Sequence, residues 1–202
     1  MPTKYSKNIF LYILSLISII IATPPYLGCG IIIILLLNLL MILGTTFRFV
    51  TNKFNTEHSD KIILFLFLVF FVIIYKRLLV LFSPILGMML GFALYFVPLS
   101  SLCLDLLFAR DKYDSPKVFG KNMKYSGLFS LALFFFFLFR EIISFGSISI
   151  PVRNGVKILK FLPWSGSFWA TVPGGFIILG IVLALVILID KNLDKVRNTD
   201  IK

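Results

Sequence analysis

The sequence predicts an all-α integral membrane protein. About six transmembrane helices form two inverted three-helix repeats, and the first helix of each repeat is interrupted. Three observations carry this prediction. The 202 residues are 59% hydrophobic and 14% charged, with a mean hydropathy of +1.00, which leaves too little charge to cover a soluble surface. Apolar runs of about twenty residues recur, the length that crosses a hydrocarbon core of roughly 30 Å, and in lipid only a helix satisfies all of its own backbone amides. Two of these runs are broken by proline and glycine, each with one cysteine just beyond the break.

The elements follow in order. Residues 8–50 form one apolar stretch, interrupted by TPPYLGCG (Thr23 to Gly30) and by Asn38, and long enough for two spans. Lys4 and Lys7 in front of the first run resemble a signal peptide, but Ala22-Thr23-Pro24-Pro25 makes a poor cleavage site, so a retained segment is expected. Gly44, Thr45 and Thr46 allow close helix packing near the end of span two. A polar loop from Arg48 to Lys61 holds the single histidine, His58. Span three runs from about Ile62 to Phe82, with Lys76 and Arg77 toward its end. Ser83-Pro84 turns the chain into span four, opened by Gly87 and Gly91, interrupted by Pro98, Ser100 and Ser101, and continuing to about Phe108.

The segment Arg110 to Lys124 is the most basic loop. Span five is expected from Ser126 to about Ile148 and includes the run Phe134 to Phe137. Pro151 to Ala170 reads as a loop, with Trp164 and Trp169 as interfacial anchors beside span six, Pro173 to about Ile189.

Six spans place both termini on one side. That side holds fourteen of the twenty Lys and Arg residues, so the positive-inside rule puts both termini in the cytoplasm. The net charge of +11 borders apolar spans instead of forming one face. It therefore suits acidic lipid headgroups and gives no reason to expect nucleic acid. The chain reads as a single transmembrane domain, 1–202, with pseudo-repeats of about 1–83 and 84–202. Three spans per half invert the second half relative to the first, and interrupted helices at corresponding positions of inverted halves point to a functional site.

The interruptions single out Cys29 and Cys103, the only two cysteines. A two-iron cluster takes four thiolates, so this chain could supply half, with a partner of the same architecture supplying the rest. Packing competes with that reading, because a free cysteine behaves as a small hydrophobe. Zinc is less favoured, since His58 lies in a polar loop. Asp105, Arg140 and Glu141 are charges at or near membrane depth, which mark function by default. Their alternative is an interfacial position, with Arg140 snorkelling and Asp105 hydrated.

Several stretches resemble the membrane subunits shared by the Rnf electron-transport complex and the sodium-translocating NADH:quinone reductase, the RnfE/NqrD and RnfA/NqrE family. FLFREIISFGSISI (Phe137 to Ile150) is similar to the family's LREI segment, and VPGGFIILGIVLA (Val172 to Ala184) to its PPGAF opening of the last span. YFVPLSSLC (Tyr95 to Cys103), YLGCG (Tyr26 to Gly30) and LGTTF (Leu43 to Phe47) are similar to further family segments. Gly30 stands where the family has proline, and Leu102 where it has asparagine.

The resemblance implies a subunit of an ion-translocating electron-transport complex. It would relay electrons through an intramembrane [2Fe-2S] cluster held half by Cys29 and Cys103 and half by a homologous inverted subunit. The chain alone would not be an enzyme, and nicotinamide and flavin sites would belong to other subunits of the complex. A small membrane transporter or substrate-binding component, and a cofactor-free assembly subunit of the same fold, remain as alternatives.

Overall fold

A computed structural model describes residues 17, 19, 20, 22–52, 60–100, 116–163, 166–182 and 184. Most of the expected first span, His58, Cys103, Asp105, the first six residues of the basic loop (110–115), Trp164 and the tail from residue 185 lie outside the described residues.

The fold is mostly helical. Among the described residues three helices are long and apolar enough to cross a membrane, over Leu27–Thr51, Lys61–Phe82 and Phe119–Phe145, and a shorter apolar helix covers Val172–Val182. The protein is therefore a membrane protein by the length and composition of its helices.

Helix α1 (Leu27–Asn52) is central. Ile33, Leu36, Leu37, Leu40 and Met41 are fully buried on it, against Phe129, Leu133 and Phe137 on one side and Leu64, Leu68 and Val72 on the other. The first three of those partners come from α5 (Pro116–Phe145) and the rest from α2 (Asp60–Phe82). Leu64, Leu68 and Val72 recur every fourth residue, so α2 offers one narrow stripe to the core, and Ile62, Leu66, Phe70 and Leu78 are left exposed. An outward face this apolar is what a lipid-exposed helix requires.

Polar bonds supplement the packing. The Asn38 amide donates to Ser130 Oγ at 2.7 Å and to Ile34 O at 2.9 Å, while Ser126 Oγ donates to Asn38 Oδ1 at 2.9 Å. The Tyr75 hydroxyl donates to Ile32 O at 3.0 Å.

The expected break before Cys29 is present: residues 17, 19, 20 and 22 are helical, Thr23 to Tyr26 are not, and α1 starts at Leu27. The second interruption begins earlier than expected. Ser83 caps the short helix α3 (Pro84–Leu90), which ends at Gly91. A 3₁₀ turn, Ala93–Tyr95, and the single turn α4 (Phe96–Leu99) follow, and Ser100 is extended with ψ 138°. Pro98 falls in the first turn of α4, where its missing N–H costs nothing. Gly91 ends the first helical piece.

Helix α5 starts at Pro116, ten residues before the expected start of span five, so part of the basic loop is helical. Proline at a first helical position has its φ already set for the helix. The helix stops at Gly146, whose φ of +59° few other residues adopt without strain.

Beyond it a fold that stays mostly helical adds one short element that was not expected. Ser147–Val152 (β1) and Gly155–Lys160 (β2) pair antiparallel as a hairpin, with Val152 opposite Gly155 and Ser147 opposite Lys160. Ser147 and Ile148, expected at the end of span five, are its first residues. The hairpin lies across the bundle end where α1 begins and α3 follows α2. Ile150, Pro151 and Val156 sit against Gly28, and Ile85 lies against Gly155. A single turn, α6 (Ser167–Ala170), leads into α7 (Val172–Val182).

Candidate functional site

A helix start leaves four backbone N–H groups without intrahelical partners, and in a bilayer water does not supply them. At the start of α1 the Tyr26 carbonyl of the preceding turn takes the third and fourth of these, from Cys29 and Gly30, both at 3.1 Å, and the first two reach distant partners. The Leu27 N–H donates to Glu141 Oε2 at 2.6 Å, and the Gly28 N–H donates to Ser149 Oγ at 3.1 Å. These partners lie 114 and 121 residues further along the chain. The carboxyl also accepts from Ser149 Oγ at 2.7 Å and from Ser147 Oγ at 3.1 Å. A buried carboxyl is costly unless hydrogen-bonded, and three donors meet this one. The N-terminal end of the helix dipole favours an anionic group at the same place.

The strand geometry explains the serines. Alternate residues of a strand face opposite sides, and in SISI the serines Ser147 and Ser149 turn inward while Ile150 is exposed. A soluble strand would show the reverse. Here the polar side faces Glu141, while of the apolar side Ile150 is exposed and Ile148 packs partly against the core.

Arg140 precedes Glu141, about 100° around the helix, and faces a different neighbour. Its Nη2 donates to Ala170 O at 3.0 Å and to Thr171 O at 3.3 Å, the carbonyls that end α6. Arg140 as a residue is 1% exposed, and its Nε and Nη1 have no partner among the described residues. Gly175 lies against it: a Cβ there would stand 3.2 Å from Cζ and 3.0 Å from Ile20 Cγ2. Gly174 is equally confined, since its Cβ would come within 2.6 Å of Trp169 Cα. The VPGGF opening of the last helix therefore uses its glycine pair for close approach to Arg140 and α6.

Neither charge snorkels. Arg140 ties α5 to the α6–α7 segment, and Glu141 ties α5 and the hairpin to the broken start of α1. Cys29, in the first turn of α1, has no exposed surface and belongs to the hydrophobic core. Its neighbour Gly30 meets the Phe137 ring, where a Cβ would approach Cδ2 to 2.6 Å. Cys103 and Asp105 lie outside the described residues. Among the described residues no cluster of three or more His, Cys, Asp or Glu could hold a metal ion.

Sequence reasoning missed Ser147, Ser149 and the hairpin. The signal was present: SISIPV alternates with period two and is bounded by Gly146 and by Asn154-Gly155, a strand and turn pattern. Absorbing Ser147 and Ile148 into a long apolar helix hid it.

Comparison with protein-family models, curated proteins and solved structures finds no match for the chain.

Proposed function

We propose that the chain is a membrane subunit of an ion-coupled electron-transport complex of the kind its motifs resemble. In this reading six helices form two inverted halves in a bacterial inner membrane, both termini are cytoplasmic, and the chain pairs with a homologous inverted subunit. One observation carries the reading. Three of the stretches that bear the resemblance, YLGCG, FREIISFGSISI and VPGGF, are far apart in sequence and meet in one buried cluster around Arg140 and Glu141. Segments that build one site together are more informative than the same segments taken singly.

The resemblance also implies half of a [2Fe-2S] cluster on Cys29 and Cys103. A thiol that completes a cluster with a second subunit has to lie at the surface where the two meet. Cys29 has no exposed surface, so it does not fit that role as it stands, and it fits packing. This favours the form of the proposal in which the chain holds its partner and assembles the complex while other subunits carry the redox centres.

The test is the iron content and EPR spectrum of the anaerobically purified complex from wild type, Cys29→Ala and Cys103→Ser. Assembly without ligation predicts reducible centres in all three. Loss of one [2Fe-2S] signal in both variants would return the thiols to the cluster. A wild-type complex without any redox centre would end the electron-transport reading.

A further inference from the structure

A groove of about 640 Å³ runs between α1 and α2 on the outside of the bundle. Leu35, Leu39 and Ile42 form one wall, and Phe71, Ile74 and Leu78 the other. We propose that this groove seats one acyl chain of an anionic phospholipid whose phosphate is taken by Arg77.

The lining decides what the groove accepts. Asn38 and Tyr75 are the only polar side chains among its described lining residues, and both are engaged inside the protein: the Asn38 amide with Ile34, Ser126 and Ser130, and the Tyr75 hydroxyl with Ile32. The groove thus asks no hydrogen bond of its occupant, as suits a hydrocarbon chain. A transmembrane helix of a partner fits poorly. Helices meet in membranes through Gly, Ala, Ser and Thr, and none of the nine lining residues is one of these. The volume is also only about that of a single turn of a helix 10–12 Å across.

Charge sets the headgroup. Arg77 directly precedes Leu78 at one end of the groove, lies inside the membrane-length segment Lys61–Phe82, and is exposed. Its neighbour Lys76 is held over the Tyr95 ring, 5.1 Å from the centroid. The Glu141 carboxyl is buried and bonded elsewhere, and no described acidic group pairs with Arg77. A guanidinium within a span is costly unless it reaches an anion. Arg77 is five residues from Phe82, about 7–8 Å along the helix axis, within the reach of an arginine that snorkels toward a headgroup. This proposal does not depend on the electron-transport reading.

Native mass spectrometry of the purified full chain, with any co-purifying subunits, tests it using added phosphatidylglycerol or phosphatidylcholine of matched chains. Wild type should retain one phosphatidylglycerol about fivefold more strongly than phosphatidylcholine, the preference expected of one arginine near the headgroups. Arg77→Gln, at an exposed position, should abolish the preference but keep one lipid. Leu39→Trp, which fills the groove, should lose both lipids; Ile42→Trp serves the same purpose should the first variant misfold. Equal retention of the two lipids by wild type, or undiminished retention in the groove-filled protein, would overturn the proposal. So would a photocrosslinker at position 42 that captures a polypeptide and no lipid.

Discussion

Glu141 does at residue scale what an N-cap side chain does for an ordinary helix, from more than a hundred residues away. Removing it leaves the Leu27 N–H and two serine hydroxyls without their acceptor inside the protein. Unsatisfied buried donors cost roughly 1–3 kcal/mol each. Glu141→Ala should therefore lower stability by about 3 kcal/mol in thermal unfolding of the detergent-solubilised protein. Glu141→Gln keeps an acceptor and should lose about half as much. Equal stability of Glu141→Ala and wild type would show that the carboxyl does not hold the helix start. Gly175→Ala probes the other charge. Its Cβ would press on the Arg140 guanidinium and on Ile20, and overpacking of this kind costs about 1–3 kcal/mol. The same substitution at Gly180, where a Cβ meets nothing within 4 Å, should be neutral in the same unfolding assay.

At the scale of elements, the long helices were legible because uninterrupted apolar length is a strong signal. Spans two and three agree with α1 and α2 to within a few residues. The interruption before Cys29 was equally legible, since Pro24 and Pro25 forbid a continuous helix. The hairpin was not. Its strands are six residues each, and the two serines of the first are buried, so a polarity pattern that marks exposure in soluble proteins marks burial here. Arg140 and Glu141 were recognised as costly charges, but their partners come from segments that only tertiary packing brings close. Asn38 carries the clearest element-level prediction. It links α1 to α5 through Ser126 and Ser130, and such intramembrane bonds are worth about 0.6 kcal/mol on average and up to about 1.7. Asn38→Val should cost about 1–2 kcal/mol, read by the same unfolding assay in a double-mutant cycle with Ser130→Ala. Additive losses would show that the bond contributes nothing.

For the whole molecule, the described residues hold three membrane-length helices and a shorter apolar one, with a polar cluster where the start of α1, the end of α5, the hairpin and the α6–α7 segment meet. Six spans in two inverted halves, and assembly with a homologous partner, are the proposal built on that frame. Cys29 marks where the residue and molecular scales meet: its thiol is sealed in the chain's own core and packs as a small hydrophobe, which in the proposed reading leaves the redox centres to other subunits. The measurement that bears most directly on this account is EPR of the dithionite-reduced complex, purified anaerobically through a tag on this chain. The account predicts a reducible iron–sulfur signal that co-purifies with the chain and persists in Cys29→Ala. A complex with its partner subunits present but no reducible centre would contradict it.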